Sequence, residues 1–534
     1  MRFLAVNLSC FLIELSSLEE TLALFDDLQA RPEPGITEIV PAARTLLVYF
    51  QPSATTLHQL ARRIARRDIR RGTMREGQQV TIPVHYNGED LEDVATILEV
   101  TPEALIERHQ ASLWQVAFTG FAPGFAYMVP EEGTWNIPRR SSPRTRIPAG
   151  SVALAGEFSG IYPQASPGGW QLIGQTELQM WDLQRAQPAL LIPGTRVQFV
   201  DARQQKITSL PAKPATLAEP SDQQATVTVL ATGLQTLWQD NGRGGKADMG
   251  LSASGAMDKA AFHAANRIVG NPRHTPCLEI TLGGFRARAH RDVVLSVTGA
   301  RCPLTLRTAS GETYRLRDYQ PINLSAGDEI LFGAPSRGLR SYLAFRGVCV
   351  VEKSLGSASR DTLAQVGPPA LRPGDGIQLG VYPSQQAVLV DETPAGVLPA
   401  PGETLTLDVV LGPRTDWFSE QAVALLTDQA WQVTPQSNRI GLRLSGPTAL
   451  TRSRHDELPS EGTCCGAIQV PASGQPVLFL RDSPLTGGYP VIGVVADYHL
   501  DLAGQIPPGA IIRFNIIQSF IELTGSEIHD PQIP

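Results

Sequence analysis

The sequence predicts a mainly β protein that opens with a small α/β unit, and three observations carry the prediction. First, 48 glycines and 42 prolines punctuate the 534 residues into short strands. Second, a phrase occurs twice, far apart. Gly168-Gly169-Trp170, two residues, then Ile173-Gly174 recurs as Gly487-Gly488-Tyr489, two residues, then Ile492-Gly493. Third, each copy is followed by a proline-glycine turn into a short apolar strand, Leu191 to Phe199 and Ile506 to Phe514. A glycine pair beside an aromatic lets backbone approach a ligand closely, with a flat ring alongside. The same phrase also fits a tight turn with a core aromatic.

Residues 1–80 read as the α/β cap. Phe11 to Leu15 forms a strand. Ser17 with Glu20 three residues on is a capping box that opens a helix through about Gln29. Strands follow at Ile36–Val40 and Thr45–Phe50, then a second helix from about Ser53 to Arg70. Its arginines, Arg62, Arg63, Arg66 and Arg67 among them, fit a solvated face better than an anion site, because Asp68 and the net charge oppose a basic patch.

Residues 81–204 form the next unit. A strand spans 79–86, and two short helices lie in 90–110, the second with Thr101 as N-cap and Pro102 in its first turn. From 114 to about 200, short strands alternate with proline-glycine turns, as in a β-barrel or sandwich. Residues 205–225 are rich in Pro, Ala, Ser, Thr and Gln and read as a linker. The remainder is again mostly β, with lobes at 226–392 and 393–534 divided near the low-complexity stretch Thr393 to Glu403. One helix interrupts it: Asp258 caps it, Lys259 to Val269 form it and Gly270 ends it.

Composition bounds the function. With 42% hydrophobic and 18% charged residues, the chain is a soluble globular type long enough for roughly three or four domains. The net charge of −7 and the lack of a basic run speak against nucleic acid. No run of about 18 uncharged apolar residues would span a membrane. Six cysteines without a Cys-x-x-Cys pair argue against a zinc site and for reduced thiols in a cytoplasm. The N-terminal apolar stretch meets Glu14, Glu19 and Glu20 and does not read as a signal peptide.

Several signatures are missing. Gly242 to Lys246 looks like the end of a phosphate loop, but Ala247 stands where a Ser or Thr would hold magnesium. There is no Gly-x-Ser-x-Gly elbow and no His-Glu-x-x-His helix. What remains are polar residues in glycine-proline turns. Gly120 to Tyr127 is the densest of these, with the Tyr127 hydroxyl as its one acid–base group. Arginines in fixed turns, Arg139, Arg140 and Arg144 in the run Pro138 to Arg144 with Arg146 following, Arg243 after Asp240, and Arg439 after Asn438, either fork onto a carboxylate or phosphate or pair with local acids. Asp482, just ahead of the second glycine pair, is a general base, a metal carboxylate or a turn cap. His109 ends a helix, where the dipole stabilises imidazolium, so it is either catalytic or only electrostatic.

These motifs, taken together, resemble a known family. Gly120–Tyr127, Pro143-Arg144, Pro148–Val152, Ile161–Pro163 and Pro167–Gly174 are similar to the allophanate-hydrolase-like family, which includes the B subunit of 5-oxoprolinase together with a sporulation-kinase inhibitor. That likeness covers about residues 5–202. Gln239–Arg243, Ser254–Asp258, Leu278–Gly283, Arg340–Ala344, Ser437–Gly441 and Thr486–Gly493 resemble the partner family, the C subunit of 5-oxoprolinase, over about 226–520. Departures include Leu485, where the family usually has threonine.

The resemblance implies cyclophilin-like β-barrels, one in the N-terminal half and two related lobes in the C-terminal half, with two usually separate subunits fused. It implies an ATP-dependent 5-oxoprolinase component, using ATP and Mg2+, that acts on a small-molecule lactam with a separate protein like the A subunit of 5-oxoprolinase. Alternatives are the carboxyltransferase component of a biotin-dependent urea or amide carboxylase, and a kinase-regulating inhibitor–antagonist fusion. By motif position the catalytic candidates are His109, Arg144, Arg439 and Asp482. The substrate- and nucleotide-binding candidates are Phe121, Pro123, Gly124, Tyr127, Gly168, Gly169, Trp170, Asp240, Arg243, Asp258, Asn438, Thr486, Gly487, Gly488 and Tyr489. No metal ligand is assigned, and homo-oligomerisation is left open.

Overall fold

The structure, a computed structural model, describes residues 1–69, 78–140, 142, 144–204, 225–382 and 386–525. The expected linker lies outside the described residues except for Ala225. Strands hold 37% of the described residues and helices 15%, so the chain is mainly β as expected.

The cap is a five-stranded sheet in the order Ile36–Pro41, Thr45–Phe50, Cys10–Glu14, Arg2–Asn7, Glu522–Leu523. Its outer strand comes from the far end of the chain, pairing Phe3 with Leu523. Alternation along the strands buries both faces. Phe3, Phe11, Ile13 and Val48 pack under the helices Leu18–Ala30 and Leu57–Ala65. Leu4, Val6, Leu12 and Leu47 pack instead on Ala467, Phe479, Val491 and Val494 of the C-terminal lobe. Four such aliphatic side chains, each worth about 1.5–3 kcal/mol on burial, hold the cap firmly to a lobe more than 400 residues away in sequence.

Ser17 caps the first helix, accepting the Glu20 N–H at 3.2 Å. The second helix starts later than its sequence indicates. Thr56, not Ser53, is its N-cap, and Thr56 Oγ1 accepts the Gln59 N–H. The helix arginines pair with acids: Arg67 with Asp27 and Glu33, and Arg63 with Glu33.

The second unit is a curled seven-stranded sheet ordered Gln171–Gln175, Ser151–Ala155, Phe158–Ile161, Ala126–Pro130, Leu113–Thr119, Arg196–Asp201, Gln79–Val84. A bridge between His85 and Gln175 brings its two edges together. The third unit stacks a six-stranded and a five-stranded sheet over one core that includes Val229, Ile280, Phe285, Val297 and Leu343. Helix Lys259–Ile268, capped by Asp258, packs on its outside through Phe262 and Ala265. The fourth unit is a closed seven-stranded barrel, ordered Thr404–Leu411, Val491–Val495, Ala467–Gln469, Val477–Phe479, Gly441–Ser445, Trp431–Val433, Ile511–Gln518.

The repeated phrase has one structural meaning in both copies. In each, the strand after the proline-glycine turn runs parallel to the first strand of its unit: Arg196–Asp201 beside Gln79–Val84, and Ile511–Gln518 beside Thr404–Leu411. The terminal glycine of the phrase then meets that first strand. A Cβ on Gly174 would lie 2.6 Å from Val84 Cγ1, and one on Gly493 2.7 Å from Val409 Cγ1. The Ile-Gly step is therefore the place where each sheet curls onto itself, and only glycine leaves room for it.

Among the described residues, no helix is long and apolar enough to cross a membrane. All six cysteines are unpaired thiols.

Candidate functional site

The Gly120–Tyr127 loop leaves strand Leu113–Thr119 with Phe121 at φ +63° and Gly124 at φ +78°. It is held from two sides by the second half of the chain. Thr119 Oγ1 donates to the Asp248 carbonyl at 2.8 Å, and Gly124 N–H donates to the Met249 carbonyl at 3.2 Å. On the other side, the Phe121 N–H donates to Thr486 Oγ1 at 3.0 Å. Glycine at position 120 makes room for this contact, because a Cβ would overlap Thr486 Oγ1 and something would have to shift. Pro123 is buried in the same loop.

The two glycine-pair phrases meet at Arg139-Arg140. Arg140 N–H donates to the Gly169 carbonyl at 2.8 Å. A Cβ on Gly488 would come within 3.4 Å of Arg139 Nη1, so the second glycine pair gives that guanidinium its space. Arg139 also pairs with Glu457 at 2.6 Å. The first aromatic, Trp170, is buried with Phe125, Tyr127 and Tyr162. The second, Tyr489, is exposed beside Arg452. A Cβ on Gly168 would overlap the Tyr162 hydroxyl. A Cβ on Gly487 would approach Gln469 Nε2.

Tyr127 is the buried hydroxyl at the centre. Burial pushes its phenol up, while hydrogen bonds with Ser460 and Thr486 and the nearby Arg139 oppose the rise. It stays protonated at neutral pH, so its hydroxyl can donate a hydrogen bond. Gln164, on the loop after Tyr162, reaches across to the Leu363 carbonyl at 3.0 Å. Three units thus contribute to one junction: Tyr127 and Arg139 from the second, residues 247–250 and 363 from the third, and Ser460 and Thr486 to Gly488 from the fourth.

The catalytic candidates stand elsewhere. His109 is fully buried between Phe199, Trp114, Trp135 and Tyr86. Its ring bonds Tyr86 at 2.9 Å and Ser159 at 3.3 Å. Burial lowers its pKa to about 3, so the imidazolium expected at a helix end does not form. Arg144 forks onto Asp90 at 2.8 and 2.9 Å and also holds Glu89. Asp90 accepts the Leu172 N–H at 2.7 Å, so Arg144 positions the first phrase through this carboxylate.

Asp482 and Arg439 do come together. The guanidinium forks onto Asp482 at 2.9 and 3.0 Å, bonds Glu279, and donates to the Gly255 carbonyl at 2.8 Å. Asp482 also accepts Ser254 Oγ at 2.6 Å and both donors of Thr362 at 2.8 Å. Burial works to raise this carboxyl, but the Arg439 charge and these donors hold it below the usual range. With five donors on two oxygens, and no exposure, Asp482 has no lone pair left for a general base or a metal. The pair clamps the third unit to the fourth. A sequence shows both residues but not that they are partners.

The remaining candidates divide in the same way. Asp240 accepts Ser357, Ser359, Ala358 N–H and Gly242 N–H, and so shapes the 357–359 loop. Asp258 accepts Ala261 N–H and Gln505, and burial raises it to about 6. Asn438 is an exposed turn residue that accepts the Ile440 N–H at 2.8 Å. Arg243 donates to the Ser359 carbonyl, but its Nε and Nη1 have no partner among the described residues, and burial lowers its pKa. Arg139, one of the turn arginines marked in the sequence, and Ser460 both join the site. Arg139 stood in the arginine-rich turn after Pro138, but Ser460 carries no local signal.

For a nucleotide and its metal, the residues do not form a ready ligand set. Arg144 and Arg439 spend their forks on carboxylates. Among the described residues, no group of three or more His, Cys, Asp or Glu side chains could hold a metal ion. No phosphoryl step is therefore assigned to residues of this chain.

The family model described as "Carboxyltransferase domain, subdomain A and B" matches residues 249–516, and "Carboxyltransferase domain, subdomain C and D" matches residues 1–191. The second half is 33% identical to the C subunit of 5-oxoprolinase from Escherichia coli, over 54% of this chain and 89% of that one. The first half is 39% identical to the B subunit of 5-oxoprolinase from Haemophilus influenzae, over 32% of this chain and 82% of that one. Urea amidolyase of Saccharomyces cerevisiae is 32% identical over 54% of this chain, which spans only 16% of that much longer protein. The solved structure of TTHA0988 is 33% identical with a TM-score of 0.80, covering 95% of this chain and 99% of that one.

Proposed function

The chain belongs to the carboxyltransferase-domain family, and we propose that it is the joined B-and-C component of a 5-oxoprolinase. In this reading it opens 5-oxoproline to L-glutamate together with a separate A-type subunit, at the expense of ATP with Mg2+. The observation that supports it most is the pairing of relatives. Two halves of one chain match two different subunits of the same enzyme, and Thr486 of one half bonds the Phe121 loop of the other. Fusion fixes their stoichiometry and keeps their effective concentration high. Six unpaired thiols fit a reducing cytoplasm.

The chemical difficulty is the lactam, whose carbonyl is stabilised by amide resonance. ATP would supply an activating phosphoryl group, and no residue of this chain is assigned to that transfer. The residues of this chain bind and orient the ring. Arg139 takes the ring carboxylate, as guanidinium does in a fixed turn. Tyr127, with Ser460 and Thr486, offers hydroxyl donors to the amide oxygen in a buried setting, where such bonds are strongest. The aromatic wall around Phe121 and Tyr162 excludes water from the ring.

A second reading is favoured by the family model itself and by the likeness to the urea amidolyase: a carboxyltransferase component acting on urea or another amide. ADP release by the purified chain, with 5-oxoproline or urea and with or without the A-type subunit, separates the two. ADP release and glutamate formation that need both 5-oxoproline and the A-type subunit support the first reading. Turnover with neither substrate rejects it.

A further inference from the structure

The six-stranded sheet of the third unit includes Thr313–Leu316, Leu304–Arg307, Glu329–Phe332 and Phe285–Ala289 as neighbours. Alternation sends Phe285, Ile330 and Phe332 into the core. The residues between them form two rows on the outer face. One row pairs Thr313, Arg307, Glu329 and Arg288 across the four strands. The next pairs Arg315, Thr305, Leu331 and Arg286. Four arginines thus share this face with a single carboxylate, in a chain whose net charge is −7.

Glu329 is nearly buried, accepts Arg288 Nε at 3.0 Å and has Arg307 at 4.0 Å. One carboxylate cannot neutralise both. Arg286 and Arg315 pair with no carboxylate among the described residues. The Arg288 and Arg307 side chains are 49% and 48% exposed, and Arg315 is exposed as well. Neighbouring strands lie about 4.8 Å apart, so these arginines spread over roughly 14 Å and do not converge on one small anion.

Beyond the second row the same face runs on through Gly284 and Gly333, where no side chain covers the backbone. A Cβ on Gly284 would lie 3.1 Å from Gly233 Cα. Next to Gly233, and just past the Gln235–Thr281 pair, stand Leu234 and Leu282, both exposed. Bare backbone and exposed leucines beside a charged area match the make-up of a protein-docking surface. The leucines offer nothing to the phosphates that dominate nucleic-acid binding.

The two halves of the chain already meet through Thr486 and Phe121, so a further subunit needs a different face. We propose that the arginine face of the third unit receives the separate A-type subunit, through an acidic patch on that subunit. The proposal rests on the oxoprolinase reading. Opposite charges speed the encounter and fix its register, and the leucines add apolar contact.

The test is biolayer interferometry of the full chain against the purified A-type subunit, at low and at high salt, with a short DNA duplex as a second probe. The variants are Arg307→Glu with Arg315→Glu, and Leu234→Glu. Arg44→Glu with Arg454→Glu, on the cap and the barrel, makes the same change in net charge elsewhere. All these side chains are exposed, and circular dichroism checks folding. The wild type should bind the A-type subunit, more weakly at high salt. The arginine pair variant should bind at least tenfold more weakly at low salt, Leu234→Glu at least threefold, and the control within twofold of wild type. No binding by the wild type, or binding by the arginine pair variant within twofold of it, would overturn the proposal. Unchanged A-type binding with loss of DNA binding in that variant would assign the face to nucleic acid instead. ADP release with 5-oxoproline, measured on the wild type in parallel, judges the enzyme reading separately. Turnover with unchanged variant binding sinks the docking face alone, whereas variant-sensitive binding without turnover sinks the enzyme reading alone.

Discussion

Thr486 Oγ1 accepts the backbone N–H of Phe121 at 3.0 Å across 365 residues of sequence. One side chain of the closed barrel thereby fixes a strained loop of the curled sheet, with Phe121 at φ +63°. Neither half can form this junction alone. Thr486→Val keeps the shape and removes the acceptor, leaving the Phe121 N–H unpaired. We expect a stability loss of about 1–3 kcal/mol in denaturant unfolding, and a larger loss of substrate turnover than of stability would suggest.

Gly120→Ala acts on the same contact by overlap rather than by deletion, since a Cβ meets Thr486 Oγ1. The loop must shift to accommodate it, at about 1–3 kcal/mol. The double change Gly120→Ala with Thr486→Ser removes the methyl overlap at 2.8 Å but keeps the hydroxyl overlap at 2.4 Å, so it should recover only part of the loss. Unfolding curves of the single and double variants check this.

Asp482 distinguishes a clamp from a base. Its neutral replacement, Asp482→Asn, leaves Arg439 and its donors poorly matched in a fully buried site. Removing one partner of a buried ion pair costs about 3–5 kcal/mol. The variant should therefore be markedly less stable in thermal or denaturant melts. A stable variant that had merely lost activity would point instead to catalysis.

Asp361 gives the pH test. It accepts Ser252 Oγ at 2.9 Å and the N–H groups of Leu363 and Ala364. Burial, aided by the Asp482 charge, raises its carboxyl from 3.8 to about 7. A raised folded pKa means that its contribution to stability is fully present below about 4 and is lost as pH rises through about 7. Asp361→Asn can keep every bond if the Ser252 hydroxyl turns to accept. The variant should gain on the wild type between pH 4 and 7, reaching an advantage on the order of 1–3 kcal/mol above pH 7. Unfolding free energies measured at pH 5 and pH 8 check the sign.

Much of this architecture was legible in the sequence because it rests on local rules. Ser17, Thr101 and Asp258 cap helices where their side chains reach an N–H three residues on. The repeated Ile-Gly step could be read as a shared module because two curled sheets need the same gap. Long-range partners were not legible. Alternation in the cap strands shows two buried faces, yet nothing in it points to Val491 and Val494 as the cover. His109 looked like a helix-end imidazolium because its surrounding aromatics, Phe199 and Trp135, are distant in sequence. Arg439 and Asp482 both stand in marked turns of the sequence, but their mutual saturation exists only in three dimensions.

In the proposed reading, the two glycine-pair phrases and the Phe121 loop build one substrate site across the halves, with Arg139 as its anion contact. It is tested by 5-oxoproline-dependent ADP release, with the A-type subunit present, for the wild type and Arg139→Ala. The expected result is a KM raised at least tenfold in the variant, with an unchanged melting profile. An Arg139→Ala protein with wild-type KM, or a wild type that releases no ADP with 5-oxoproline, would refute the reading.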